Sequence, residues 1–580
     1  MKKSILALIA LAACFTGTAA IKPADINKAV VNVVTYDANG NVLQSGYGFL
    51  IGDRGEVIAP YQTFMGAVRA EIIDWKGQQA EVKRIAGASS AYDLIRFTTD
   101  IPLKKLVSLS PATMPAAKDA AVMLAYYTTD KKAMPKNVSI TAADEYNSHY
   151  YYETSAPNED HYVGCPLLNA AGEAVALVQK NVLKDATTAC AIDISFANEL
   201  SINAQSAFNT DLNNVPIAKL LPADDEETAF SYTYMMLHSQ IDSALVMTTC
   251  NDFIGLYPTN TKVLTERATY LAARGNYAAA DADLKQAVAM AGENTSDCLY
   301  TQSMLMYNKM LATGEGTDPW PEWTLETALA SAEEAYKATP QPVYLLQQGQ
   351  ILFSMQRFAE AYEKFMAVNA SEIANAQTFF YASNALERDG GDGMQVIALL
   401  DSAVAHLKTP YNTDAAPYLF ARAQHLDNAG EHRKATADYN EYEKIVGPRN
   451  LTAYFYYLRM QSEMGSRMYQ QALDDAHTAI SLAKDEEEKA DYMLEQALLQ
   501  LRVNLLDECI ATCNDIFALK EDMADAYKIC GIAYGEKKDK AKMQQMLGKA
   551  KDLGAENTDE LLEKYKGCSI NEFSNILRSA

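Results

Sequence analysis

After its first 20 residues, the sequence has no hydrophobic run long enough to cross a membrane. A membrane-spanning helix needs roughly 18 or more consecutive apolar residues, and no later stretch approaches that length. Basic residues are also scarce, since 50 Lys and Arg stand against 74 Asp and Glu. Because phosphate binding needs clustered Lys and Arg, we expect no nucleic-acid partner. The sequence predicts a chain with no transmembrane segment after residue 20.

Cysteine pairs of the kind that bind metals are missing as well. The chain has 9 cysteines but no C-x-x-C pair. Cys509 and Cys513 lie one helical turn apart, without a histidine nearby, which is weak evidence for a metal site. Small buried helix residues are the better interpretation, and we expect neither a metal nor a cofactor.

The N-terminus has the three parts of a secretory signal. Two lysines precede an apolar run over residues 5–15 and small residues at 18–20. Residues 1–20 therefore predict an exported protein, periplasmic or extracellular. The segment ending at Cys14 resembles a bacterial lipobox, so a lipid anchor at Cys14 and association with the envelope remain an alternative. Simple cleavage after Ala20 is favoured, because the apolar Phe15 follows Cys14 directly.

The first half of the chain has the pattern of short strands and tight turns. A β-rich run over residues 30–36 is followed by a turn at 37–41, a second strand at 45–51 and a turn at 53–55. This alternation continues to about residue 195. Such spacing favours small barrels or sandwiches.

Three of these segments resemble, in order and spacing, the triad segments of the trypsin-like, HtrA-type serine peptidases. They are residues 46–64, 92–97 and 161–169, within a resemblance that covers about 170 residues. The resemblance implies two β-barrels over residues 21–200. It places Gln62, Asp93 and Val163 at the positions of base, orienting carboxylate and nucleophile, clustered between the barrels.

Two of these three residue types cannot perform the chemistry of the family. A valine side chain cannot attack a carbonyl, and the amide of Gln62 has no protonation equilibrium that would let it accept the proton. Loss of either the serine or the histidine costs such a triad on the order of 10⁶ in kcat. We therefore predict an inactive trypsin-like domain, in which Asp93 accepts backbone or hydroxyl hydrogen bonds.

Cys165 is the one alternative nucleophile near Val163. It stands where the family has a glycine, and His149 and His161 are the histidines nearby. A cysteine nucleophile needs such a base beside it, but a shift of two residues moves the thiol away from oxyanion donors around His161 and Val163. A peptidase using Cys165, with substrate recruited by the second half of the chain, remains the alternative function. Cys165 is otherwise a buried free thiol or the partner of Cys190 in a disulfide.

The second half of the chain is predicted to be helical and repetitive. After a polar linker at residues 201–224, small and large apolar residues recur at the same offsets. This pattern resembles the tetratricopeptide repeat (TPR) family, whose 34-residue unit is a pair of helices. We expect an array of about nine helix pairs over residues 225–557 and capping helices at 558–580. The predicted repeat starts are residues 227, 261, 295, 342, 376, 416, 453, 490 and 524.

A TPR superhelix has a concave surface that can hold a peptide. Residues 201–580 carry a net charge of −22, against −4 for residues 21–200, so a basic, extended protein segment is the expected ligand. Alternatively, the charge only keeps the protein soluble and the aromatic residues only pack. The predicted function is an exported protein-binding scaffold; a role in carbohydrate uptake or envelope assembly is neither favoured nor excluded. The predicted groove residues are Gln350, Phe353, Phe420, Gln424, Tyr454 and Tyr457.

Overall fold

The computed structural model describes residues 22–104, 106–239, 242–313 and 320–567. The predicted signal peptide, Cys14 and residues 568–580 of the predicted capping helices lie outside these ranges. The chain forms two compact units, which divide in sequence between Cys298 and Leu299.

The first β-barrel is closed by six antiparallel strands in the order β1-β2-β3-β6-β5-β4. In β1, the side chains of Val31, Val33 and Thr35 are buried while those between them are only half-buried, the alternation of a strand with one face in a core. The strands are β1 Val30–Tyr36, β2 Val42–Ile51, β3 Glu56–Ala59, β4 Arg69–Ile73, β5 Gln79–Ser89 and β6 Leu94–Thr99. A methyl group on Gly48 would lie 2.6 Å from the Ile58 carbonyl oxygen, so β2 and β3 can pair this closely only with glycine there.

The second barrel closes in the order β10-β11-β12-β9-β8-β7. Its strands are β7 Ala121–Leu124, β8 Lys136–Tyr146, β9 His149–Pro157, β10 Pro166–Leu168, β11 Ala174–Gln179 and β12 Thr188–Asp193. The two barrels share one hydrophobic cluster of buried side chains. It includes Phe49 and Leu94 of the first barrel, Leu177 of the second barrel, and Phe196 in the turn after β12. The predicted all-β double barrel is confirmed.

From Glu226 onward, the described chain is helical, which confirms the predicted all-α second region. The first helices of successive pairs begin at residues 226, 262, 295, 342, 376, 416, 453, 486 and 524, within four residues of the predicted repeat starts. Two short helices precede them, α1 Pro23–Ile26 and α2 Thr210–Asn213. The later helices are α3 Glu226–Leu237, α4 Ser243–Leu256, α5 Lys262–Ala273, α6 Tyr277–Met290, α7 Thr295–Thr313, α8 Leu325–Ala338, α9 Pro342–Ser354, α10 Phe358–Asn369, α11 Ala376–Arg388, α12 Gly393–Ala405, α13 Ala416–Asn428, α14 His432–Val446, α15 Ala453–Gly465, α16 Tyr469–Leu482, α17 Glu486–Arg502, α18 Leu506–Leu519, α19 Ala524–Glu536, α20 Lys540–Asp552 and α21 Thr558–Gly567.

A buried ion pair recurs between the two helices of a pair. In three pairs, an arginine of the first helix makes a bidentate contact with an aspartate 16 residues later, at distances of 2.7–2.9 Å. The pairs are Arg267–Asp283, Arg422–Asp438 and Arg459–Asp475. Arg459 also reaches back to Glu443 on α14, with Nη1 2.6 Å from Oε2. This arginine therefore joins two successive helix pairs.

The segment predicted as a linker is packed on the first barrel. Ile85 of β5 donates to the Ala218 carbonyl and accepts from the Leu220 N–H, both at 2.8 Å. The Arg84 guanidinium binds both carboxylate oxygens of Asp252 on α4, at 2.5 and 2.8 Å. Residues 218–220 thus extend the sheet along β5, and an ion pair fixes the first helix pair to the same strand.

Candidate functional site

Asp93 holds the turn that carries Gln62. It ends the tight turn between β5 and β6 with a positive φ of 46°, and its Oδ1 accepts a hydrogen bond from the Gln62 backbone N–H at 2.9 Å. Burial raises the pKa of Asp93, while the backbone N–H groups of Gln62 and Tyr61 oppose that rise. The side chain of Gln62 is exposed on the 3-10 turn Tyr61–Phe64. Asp93 thus accepts a backbone hydrogen bond, the role expected from the sequence.

Val163 follows a second 3-10 turn, Asp160–Tyr162, whose chain packs on the first barrel. The next residue, Gly164, has φ 84°. A methyl group on it would lie 2.1 Å from the backbone carbonyl oxygen of Tyr47 and 2.9 Å from Pro60 Cδ. Pro60 immediately precedes the turn of Gln62. The segments that carry the three predicted positions therefore contact one another where the two barrels meet.

The backbone N–H of Val163 is already used within its own turn. It donates to the Asp160 carbonyl oxygen at 3.2 Å. In acyl transfer, the oxyanion is stabilised by N–H groups that point at the substrate before it arrives. The Val163 N–H, at the position predicted for the nucleophile, must first leave its turn before it can serve as such a donor.

Cys165 is buried without solvent exposure, and its thiol lies 3.6 Å from the His161 carbonyl oxygen, as a donor. Burial raises the pKa of this thiol to about 12. The thiolate is the nucleophilic form of cysteine. With a pKa this high, almost none of the Cys165 thiol is ionised at neutral pH. Cys190 on β12 is likewise a free thiol in the structure.

His149 belongs to a polar cluster that the sequence analysis missed. Its Nδ1 lies 2.7 Å from Ser195 Oγ and its Nε2 2.6 Å from Glu199 Oε1. Ser195 Oγ donates in turn to Asp193 Oδ1 at 2.7 Å. The cluster ties the start of β9 to the turn after β12. Asp193 is a favoured residue type for an N-cap, and its side chain accepts from the Ser195 N–H at 2.8 Å. No local signal predicts that His149 joins them.

His161 lies on the surface, with its ring 3.7 Å from that of Tyr162 and its Nδ1 3.4 Å from Glu159. Both histidines considered as a base for Cys165 are thus engaged with other groups.

The chain leaving β11 is held by a side-chain amide. Asn158 Oδ1 accepts from the Asn181 N–H at 3.0 Å, and Asn158 Nδ2 donates to the Asn181 carbonyl at 2.9 Å. A peptide ligand that binds as an added β-strand would pair with free backbone N–H and carbonyl groups at a sheet edge. At Asn181 both are satisfied within the protein.

In the second unit, the predicted groove residues fall into two kinds. Phe353 packs edge-on against Phe358, with ring centroids 5.2 Å apart, and Phe420 packs on Tyr439 and Tyr442. Both are half-buried and act in helix packing. The half-buried Gln350 and Gln424 lie on the same helices, α9 and α13.

Tyr454 and Tyr457 form an accessible aromatic pair on α15. Tyr454 is 53% exposed and stacks on Tyr457 at 6.2 Å, and Tyr457 lies 5.5 Å from Tyr492 on α17. Carboxylates lie close by: Glu488 accepts from the Tyr492 hydroxyl at 2.9 Å, and Glu495 accepts from Gln461 at 3.2 Å. Burial and the charge of Glu495 raise the pKa of Tyr457. We call Tyr454, Tyr457, Tyr492, Glu488 and Glu495 the tyrosine–carboxylate patch.

Within the described ranges, no group of three His, Cys, Asp or Glu side chains is arranged to hold a metal ion. No helix in that part of the chain is long and apolar enough to span a membrane.

The sequence matches no protein-family model, and a search of curated proteins gives no match. Solved structures of serine proteases resemble the barrel region. A serine endoprotease from Yersinia pestis is 17% identical with a TM-score of 0.26, covering 31% of this chain and 65% of its own. The active form of an M. tuberculosis protease is 18% identical with a TM-score of 0.26, covering 30% of this chain and 81% of its own. The chain thus spans less than two thirds of the Yersinia enzyme.

Proposed function

We propose that this protein is an exported protein-binding scaffold, in which the trypsin-like double barrel does not hydrolyse peptides and the helical region is a TPR-type array. Signal cleavage after residue 20 would deliver it to the periplasm or the extracellular space, as the N-terminal sequence predicts. The observation that supports the proposal is that Asp93 is committed to the backbone N–H of Gln62, whose amide side chain is exposed. The resemblance aligns Gln62 with the base and Val163 with the nucleophile.

The cysteine alternative has little support from the structure. The Cys165 thiol is buried, with a pKa of about 12, and His149 is engaged by Ser195 and Glu199. A nucleophile of this kind lacks both a proton acceptor and access to a substrate carbonyl.

We expect the unmodified protein to leave casein intact and to remain unlabelled by a fluorophosphonate probe. Val163→Ser alone should stay inactive, because no base is present to take the serine proton. The double change Val163→Ser with Gln62→His restores both reacting groups and should be the first variant with measurable hydrolysis. Casein cleavage by the unmodified protein that disappears on Cys165→Ala would contradict the proposal and establish the cysteine peptidase instead.

Three features support a TPR-type array. Five of the eight intervals between the starts of successive helix pairs lie within three residues of 34, and the other three are longer. Small residues stand where two helices touch. A methyl group on Gly349 of α9 would lie 2.6 Å from the Phe365 ring of α10, and one on Gly531 of α19 would lie 2.8 Å from Leu547 of α20. The Arg–Asp contact at a spacing of 16 residues adds a third repeated feature.

For the ligand of the array, we propose a basic, extended protein segment bound at the tyrosine–carboxylate patch. A peptide of about twelve alternating Lys and Ser residues should bind, and Tyr454→Ala with Tyr457→Ala should weaken binding about tenfold, since two cation–π contacts are lost. Binding should also weaken when salt rises above about 0.15 M. Tyr146→Ala, a change of another exposed tyrosine on the second barrel, is the control for calorimetry. Binding that ignores both salt and the double change would place the contact elsewhere.

A further inference from the structure

The N-terminal segment lies where both barrels contribute basic and aromatic side chains. Asn27 is buried, and its side-chain amide donates to the Ala133 carbonyl and accepts from the Tyr126 N–H, both at 3.2 Å. These contacts fix the loop between β7 and β8 beside the start of the described chain. The Tyr127 hydroxyl donates to the Asp74 carbonyl at 3.2 Å, which brings the turn between β4 and β5 to the same place.

A tryptophan stands between two lysines on this face. The Lys28 and Lys76 ammonium groups lie 4.9 and 5.0 Å from the centre of the Trp75 ring. In the neighbouring loop, Lys131 and Lys132 are exposed and Met134 is 51% exposed. We call Lys28, Trp75, Lys76, Lys131, Lys132 and Met134 the N-terminal face.

The carboxylates near this face do not cancel its charge. Asp25 pairs with Lys28, and Asp74 is buried with Oδ1 accepting from the Lys76 and Gln78 N–H groups at 2.8 Å. Asp130 is exposed, and its Oδ1 accepts from the Lys132 N–H at 2.9 Å. Four lysines therefore stand against three carboxylates, of which only Asp25 and Asp130 are accessible. The local net charge is positive, in a protein whose overall charge is −24.

We propose that the N-terminal face docks on a membrane surface that carries anionic lipid headgroups. Lysines are attracted to such headgroups, and tryptophan favours the boundary between headgroups and acyl chains. Since screening limits charge effects to about 8 Å at physiological salt, the local lysines decide the contact rather than the distant acidic charge. The inference rests on the proposed export, because an exported protein meets a lipid surface on leaving the cell interior.

A lipid anchor at Cys14, the alternative interpretation of the N-terminal sequence, would lie close to the N-terminal face. The described chain begins at Lys22, five residues before Asn27. If Cys14 is acylated, the eight residues from Cys14 to Lys22 reach at most roughly 28 Å, which would keep this face close to the membrane. The basic patch would then add a second attachment to the same membrane.

The test uses the form left after signal cleavage, residues 21–580, with vesicles of phosphatidylethanolamine containing either phosphatidylglycerol or phosphatidylcholine. Flotation should show binding to the anionic vesicles only. Lys131→Glu with Lys132→Glu should weaken it at least about tenfold, since each lysine near an anionic surface contributes roughly fivefold in affinity. The matched control is Lys540→Glu with Lys542→Glu on α20, two exposed lysines in the other unit.

Trp75 gives a second readout of contact with lipid. Brominated phosphatidylglycerol should quench the unmodified protein more than Trp75→Phe, because Trp75 alone of the 3 tryptophans lies on this face. Absence of binding to anionic vesicles, or equal binding by the two lysine double variants, would overturn the proposal. If polyglutamate bound the face and the vesicles did not, the occupant would be an acidic protein. None of these results depends on peptidase activity or on the array, so they separate this inference from the proposed scaffold function.

Discussion

Arg459→Leu should destabilise the helix pairs around α15 by about 3–5 kcal/mol, the range found when one partner of a buried ion pair is removed. Arg459 lies between α14 and α16, where it contacts Asp475 with Nε and Nη2 at 2.7 and 2.9 Å and Glu443 with Nη1 at 2.6 Å. Removal would leave the buried Asp475 carboxylate without its counter-charge. Hydrogen exchange of peptides from residues 432–482 measures the change, since opening in a repeat array is local.

The matched control is Arg433→Leu, which removes an exposed arginine from α14. The double change Arg459→Leu with Asp475→Leu should recover much of the loss, because the buried Asp475 charge is removed together with its partner. Glu443 also loses Arg459, but its carboxylate is partly exposed to water. Exchange rates equal to those of the control would show that the ion pair contributes nothing to the stacking of the helices.

Glu463→Gln should stabilise the same helix pair at pH 8 and have little effect at pH 4.5. Glu463 is 3% exposed, and its Oε2 makes no hydrogen bond within the described part of the chain. Burial raises the pKa of Glu463 to about 8, with the charge of Asp475 adding to the rise and Arg459 opposing it; Asp474 and Glu443 also raise it. Keeping Glu463 neutral in the folded state costs folding free energy only at pH values where its carboxyl group ionises in the unfolded chain. Glu463→Gln removes that cost.

The pH dependence follows from the direction of this shift. Below the unfolded pKa, near 4.5, the carboxyl group is neutral in both states and costs nothing. As pH rises from 4.5 toward 8, the unfolded state loses its proton first, so stability falls. At 1.36 kcal/mol per pKa unit, the loss by pH 7 is on the order of 3 kcal/mol.

Urea unfolding followed by hydrogen exchange at pH 4.5, 7 and 8 would measure this slope. Glu463→Gln should flatten it, whereas Glu487→Gln, on an exposed carboxylate of α17, should leave it unchanged. A slope that persists in Glu463→Gln would assign the titration to another group, such as Asp475, whose pKa burial also raises.

Strand alternation and recurring small residues are local patterns, so the sequence was sufficient for a β-rich first half and a helical second half. The division of the first half into two barrels came from the family resemblance. Asp93 accepts a hydrogen bond from the backbone of Gln62, while the alignment of Gln62, Asp93 and Val163 with a triad stays a prediction. The contacts of His149 could not be foreseen. Ser195 and Glu199 lie 46 and 50 residues away, and their meeting depends on how β9 and the turn after β12 close the second barrel.

The recurring ion pair, by contrast, was visible in the sequence and was missed. Arginine and aspartate stand 16 residues apart in three repeats, a regularity that the pattern of apolar positions does not contain. The hydrogen bonds of the Asn181 backbone could not be predicted from the sequence. They are made by the side-chain amide of Asn158, which reaches Asn181 only in the folded protein.

The packing of residues 218–220 along β5 has a consequence for any attempt to express the barrels alone. A fragment ending at residue 200 or 217 would leave the backbone of Ile85 without its partners, and an unpaired strand edge is a template for aggregation. A fragment that stops at residue 224 would cover this edge, but it would leave the Arg84 guanidinium without its partner Asp252. The smallest soluble piece should therefore continue through Leu256, the end of α4, so that the first helix pair is produced together with the barrels.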